Sequence, residues 1–137
     1  MSHVTGDEAV RYLRAHADAI LVVDGSPVSR TNLRRNLEYY GFSVLEAASA
    51  DEVLPHLRQR RPRVGLTLLD VPSLGTEVRP LLAQILRADP QHRVLLCVDQ
   101  APSAVRMTEA RSGVIGMLRK PVRTERLLRA VSQALGL

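Results

Sequence analysis

Five short apolar runs, each followed by a segment with helical spacing, constrain this chain more than any other feature. Ala19-Ile20-Leu21-Val22-Val23 contains no polar residue, the pattern of a strand covered on both faces. Residues 42–46, 64–69, 93–98 and 114–118 are further short strand signals, mostly apolar, with Ser43, Glu46, Thr67 and Arg93 among them. Between the runs lie helix signals. Ser26-Pro27 reads as an N-cap followed by proline in the first turn, with Val28, Leu33, Leu37 and Tyr40 as the stripe and Gly41 as the stop. Ser49 and Glu52 form a capping box for a helix to about Arg60. Further helices are predicted over residues 75–88, 101–112 and 123–135. Parallel strands need crossover connections, so the repeat implies an α/β fold. The expectation is a doubly wound, five-stranded parallel sheet with helices on both faces.

Residues 1–18 precede the repeat, and Ala9, Val10 and Leu13 suggest an amphipathic helix there. The chain thus divides into an N-terminal extension (1–18) and a repeat-bearing domain (19–137). At 137 residues it is long enough for one proper core. No stretch approaches a membrane span, and the N-terminus lacks a signal-peptide layout. The lone Cys97 excludes a disulfide framework, reads as an inert core thiol and points to a reducing cytoplasm.

The net charge of +5 raises nucleic-acid binding as one reading, with a cluster at Arg58, Arg60, Arg61 and Arg63. Against it stand the absence of Trp, a single Phe and no recognised binding motif, so nucleic-acid contact by this domain is kept only as an alternative. Among the 19 basic Lys and Arg residues, only Lys120 is lysine, a compact ammonium in a chain that otherwise chooses arginine. The histidines (His3, His16, His56, His92) show no metal-ligand spacing, and no phosphate-cradling glycine motif or nucleophile elbow is present.

In a doubly wound sheet, ligands gather at the carboxyl ends of the strands. Asp24, Asp70 and Lys120 close the first, third and fifth apolar runs. Singly, each aspartate is a turn former. Together, two carboxylates and an ammonium make a site able to hold a hard cation and a phosphoryl group. The bland alternative is an ion cluster tying the strand ends together.

The segments LVVDGSPVSR, LTLLD and MLRKP resemble the three signatures of the receiver domain of two-component response regulators, over roughly residues 19–136. The resemblance implies a flavodoxin-like fold in a signalling module that is not an enzyme. It further implies that Asp70 is the phospho-acceptor, that Asp24 and Asp70 hold Mg2+, and that Lys120 is the catalytic group contacting the phosphoryl. Pro121 matches a proline whose preceding bond is cis in the family. Several positions depart from the pattern. Gly25 stands where a second metal-binding acid belongs, and Ser26 is better placed as a cap. Val98 replaces the switch hydroxyl and Met117 the switch aromatic. Pro72 would supply the carbonyl that completes the metal shell, from a loop (71–75) that looks shorter than usual.

These departures lead to the expectation of a protein-interaction module with weak or absent phosphorylation at Asp70 and weakened Mg2+ binding. On that basis Gly25→Asp should raise magnesium affinity. The alternative is a working phospho-acceptor fed by a histidine kinase. Expected partners are a histidine kinase or output domain, and a second copy of the chain, with no membrane. The pairing face would carry Arg106, Met107, Glu109, Arg111, Met117, Arg119, Arg123, Glu125 and Arg126, with Val105 and the first helix adding apolar contact.

Overall fold

A computed structural model describes residues 18–59, 61–99 and 113–136. The helices expected within residues 4–17 and 101–112 lie outside the described residues, as does Arg60. Five strands form one parallel sheet: β1 (Ala19–Val23), β2 (Val44–Ala47), β3 (Val64–Asp70), β4 (Arg93–Val98) and β5 (Val114–Arg119). Their order is β2-β1-β3-β4-β5. The helices are α1 (Pro27–Tyr39), α2 (Val53–Arg58), the single turn α3 (Val71–Leu74), α4 (Val78–Ala88) and α5 (Thr124–Ala134).

The unbroken apolar runs are explained by two cores, one on each face. Leu21 and Val23 of β1 join Leu69, Leu96, Val98 and residues of α2 and α4 on one side. Ile20 and Val22 turn the other way, toward Leu33 and Leu37 of α1 and Leu127 and Val131 of α5. Successive strand side chains alternate faces, so a strand sandwiched between helix layers needs apolar residues at every position.

Two boundaries differ from the sequence expectation. The second strand begins at Val44 rather than at residue 42. The helix expected from Gly75 begins instead at Val78, after a 3-10 turn over Gly75–Glu77. Residues 71–74, expected to be loop, are helical because Asp70 caps them and Pro72 fits a first turn.

One polar pair interrupts the core. Thr67 on β3 is fully buried and its Oγ1 lies 2.8 Å from Nε2 of buried His92. Burial lowers the His92 pKa below its ordinary 6.5; the charge of Asp89 opposes the shift and that of Arg63 adds to it. The folded state therefore binds this proton less readily than the unfolded chain. The His92 contribution to stability is intact above about pH 6.5 and is lost as pH falls from there through the lower folded value. His92→Gln should flatten this part of the stability profile, measured by urea unfolding across that window.

Candidate functional site

The strand order reverses at β1, which pairs with β2 on one side and β3 on the other. The crevice beyond the carboxyl ends of β1 and β3 is where such sheets place ligands. Asp24 follows β1, and Asp70 is the last residue of β3. Both are almost fully buried. Lys120 follows β5, and its backbone N–H donates to the Val98 carbonyl at 2.7 Å, which fixes the turn against the end of β4. The Lys120–Pro121 peptide bond is cis. The Lys120 Nζ reaches back over β4 to lie 2.5 Å from Asp70 Oδ1 and 3.8 Å from Asp24 Oδ2. The three residues singled out from the sequence thus meet in one place.

Each carboxylate divides its work. Asp24 Oδ1 accepts from the Ser26 backbone N–H at 2.9 Å, while the Asp24 carbonyl accepts from Arg30 Nη1 at 2.6 Å. Arg30 is anchored in turn on Glu46 of β2, 3.2 Å away. Asp70 Oδ2 accepts from the Ser73 N–H at 3.1 Å and so caps α3. The remaining oxygens, Asp24 Oδ2 and Asp70 Oδ1, are buried with only the ammonium beside them, close against Asp70 Oδ1 and by charge across the longer distance to Asp24 Oδ2. Partial burial would lower the Lys120 pKa, but the contact with Asp70 and the charges of Asp70 and Asp24 outweigh it, and the pKa is raised. The lysine is a firm cation among two anions.

The flanking positions are apolar. Val98 is buried at the end of β4 in the same core as Leu69 and Leu96, with Met117 packed partly buried against it. Cys97 pairs across β4 with Asp70 and Leu118. Its thiol is pushed up to about 12, first by burial and then by the Asp70 charge, so it stays protonated.

Gly25 is exposed beside Asp24, and its surroundings are specific. Its N–H donates to Ser73 Oγ at 3.0 Å, and that hydroxyl donates to the Asp70 carbonyl at 3.2 Å. Ser73 was not among the residues the sequence pointed to. The signal was there: Asp70-Val71-Pro72-Ser73 is an N-cap, a first-turn proline and the residue whose N–H such a cap receives. The same helical turn bears on Pro72. Carbonyls in a helix run toward its C-terminal end, here away from the Asp70 carboxylate that caps the N-terminal end.

The residue set fits a hard cation in part. Two buried carboxylate oxygens face one ammonium and no other donor among the described residues, and Mg2+ is commonly held by one or two carboxylates with waters and phosphate. No cluster of three or more His, Cys, Asp or Glu exists among the described residues. The described part of the arginine cluster is elsewhere. Arg61 and Arg63 precede β3 at the end opposite Asp70, and Arg63 Nε lies 3.7 Å from Asp18 Oδ2. No helix of the described residues is long and apolar enough to cross a membrane.

Comparison with known proteins gives a consistent result. The family described as response regulator receiver domain matches residues 20–132. The chemotaxis protein CheY of Listeria monocytogenes is 25% identical over 117 residues, covering 84% of this chain and 96% of that protein. The C4-dicarboxylate transport transcriptional regulatory protein DctD of Rhizobium meliloti is 25% identical over 118 residues, which are 86% of this chain. The matched region spans only 25% of DctD's own length. Among solved structures, a receiver domain protein from Clostridium thermocellum superposes with a TM-score of 0.78 at 24% identity, covering 87% of this chain and 94% of that one. A CheY-like receiver domain from Methanospirillum hungatei gives 0.77 at 24% identity, with 87% and 94% covered.

Proposed function

We propose that this chain, which belongs to the response-regulator receiver family, serves two-component signalling mainly as a protein-interaction module, with Asp70 a poor phospho-acceptor. A receiver domain is a non-catalytic signalling module, and the family typically binds Mg2+. The observation that carries the finer reading is the pairing of Gly25 with Ser73. A second acid at position 25 would offer the cation a further oxygen; here a neutral hydroxyl closes that side. Losing a metal ligand costs rate as well as affinity, because the cation offsets charge in phosphoryl transfer. Asp24 and Asp70 would hold Mg2+, whose charge screens the incoming phosphoryl group. Lys120 would hold a phosphoryl oxygen by its ammonium. The Pro72 carbonyl is poorly aimed to add a ligand.

Readout is weakened separately. Val98 donates no hydrogen bond to a phosphoryl oxygen, and Met117 packs without a polar tip. An interaction surface that phosphate no longer governs would work in the unmodified chain. The partners we assign are a histidine kinase or output domain in the cytoplasm, and a second copy of the chain. Exposed Arg119, Arg123, Glu125 and Arg126 supply charges of both signs for a self-complementary face. Such exposed pairs set orientation more than affinity. The rest of that face, Val105 to Arg111, lies outside the described residues.

The competing reading, a working phospho-acceptor, is favoured by the two buried carboxylate oxygens that only the Lys120 ammonium faces, which a cation would satisfy further. One experiment separates the two. The protein is incubated with a small phosphodonor and magnesium, then followed by intact mass and by sedimentation at micromolar concentration. We expect little added phosphate mass and a homodimer before and after treatment. Rapid stoichiometric modification abolished by Asp70→Asn would establish the competing reading, and a monomer throughout would remove the dimer.

A further inference from the structure

Position 25 and position 73 face each other across the mouth of the crevice, one on the turn after β1 and the other in α3. Ser73 links the turn after β1 to the end of β3 with three contacts, one to Gly25 and two to Asp70. Its hydroxyl accepts from the Gly25 N–H and donates to the Asp70 carbonyl, while its own N–H holds Asp70 Oδ2. The space is also filled. A Cβ built on Gly25 would stand 3.2 Å from Ser73 Cβ, 3.5 Å from Ser73 Oγ and 3.7 Å from the Ala48 carbonyl. The first of these is tighter than nine in ten real Cβ contacts and asks the neighbour to give by a few tenths of an ångström, and Ser73 Cβ rides on the backbone of α3, which is itself capped by Asp70. The neighbour cannot swing aside as the tip of a long side chain would.

We infer that Ser73 is a positioning residue that sets the cation affinity of this site jointly with Gly25, as one coupled pair. Ser73 clasps the β1 and β3 turns together without a metal, and it occupies the room that any side chain at position 25 needs to enter. The inference rests on the reading of a weakened metal site and names the residue responsible. It also revises the expectation that Gly25→Asp alone raises magnesium affinity appreciably. With Ser73 in place, an aspartate at 25 pushes against α3, and α3 carries the Ser73 N–H that holds Asp70, the other ligand. Gain at one ligand is offset by displacement of the next.

The test is a double-mutant cycle, since coupled neighbours fail to add. Magnesium is titrated calorimetrically into the wild type, Gly25→Asp, Ser73→Gly and the double variant. We expect Gly25→Asp alone to tighten binding by less than about twofold and the double variant by about tenfold or more, the scale on which supporting residues govern metal affinity. Ser73→Ala separates the two roles, because it loses the hydroxyl clasp but keeps the crowding Cβ. Gly25→Asp with Ser73→Ala should therefore bind more weakly than Gly25→Asp with Ser73→Gly. A metal-free cycle reads the same crowding. Gly25→Ala should lower Tm by about 3 °C more in the wild type than in the Ser73→Gly background. If no variant binds magnesium measurably, that melting difference decides. Additivity in both cycles, with Gly25→Asp giving the whole gain while Ser73 remains, overturns the coupling. Tight magnesium binding by the wild type would instead count against the weakened-site reading, and the cycle would still report on the pair.

Discussion

Lys120→Met is expected to destabilise the fold by about 3 kcal/mol at neutral pH, far more than loss of an ordinary surface lysine. The reason is what it leaves behind. Asp24 is fully buried and Asp70 nearly so, and among the described residues the only cation within 4 Å of either carboxylate is the Lys120 ammonium. Removing one partner of a buried pair costs more than the pair is worth, because the remaining charge keeps its desolvation penalty. Here two like charges remain, and neither unsatisfied oxygen has a hydrogen bond to fall back on. Partial exposure of Lys120 keeps this cost at the low end of the range for buried pairs. Adding Asp70→Asn should recover a large part of the loss, since the amide oxygen can still cap α3 through the Ser73 N–H while one negative charge disappears. Urea unfolding of the two variants against wild type measures both numbers. A cost below about 0.5 kcal/mol for Lys120→Met would mean that water, rather than the ammonium, is what these carboxylates see.

The same cluster shows how much of the site is legible in a sequence and where legibility stops. Asp24, Asp70 and Lys120 each close an apolar run, and period and polarity are enough to place them at strand ends. That they meet depends on the strand order, which puts β1 beside β3 and only β4 between β3 and Lys120. The apolar character of Val98 and Met117 was equally plain, because a buried strand position shows its chemistry in its residue type. Ser73 was not plain. Its role arises from a contact across 48 residues of sequence to a glycine whose only donor is its backbone N–H. Backbone partners carry no side-chain signature. The helical turn α3 was missed for a related reason: four residues give no apolar stripe, and only capping chemistry marks them. The missed boundary at Val78 follows from it, since Gly75 sits between the two helical pieces with φ of 55°, a value glycine tolerates and other residues avoid. Arg30 and Glu46 hold the Asp24 turn from the side, and no local pattern links a residue of α1 to one of β2.

Leu69→Ala should be the most damaging single truncation near the site, costing about 3 to 4 kcal/mol, a large fraction of the stability of a domain this size. Leu69 has no exposed surface and lies in the middle strand of the sheet, paired with Val23 of β1 and Leu96 of β4. It shares its core with Leu74 of α3, Val78, Leu81 and Ile85. A central strand held on both edges cannot shift to close the cavity, so the transfer and cavity terms are both felt in full. By contrast, Ile115→Ala on the edge strand β5, where the side chain is about half exposed, should cost under about 1 kcal/mol. The comparison has a functional edge, because Leu69 immediately precedes Asp70. The core it shares with Leu74 holds the end of β3 to the turn that the Asp70 carboxylate caps. Truncation should therefore weaken the Asp70–Lys120 contact as well as the core. A Lys120→Met change made on the Leu69→Ala background should then cost less than in wild type, a coupling measurable by the same urea unfolding. Strict additivity of the two would show that the ion cluster stands independently of the core beneath it.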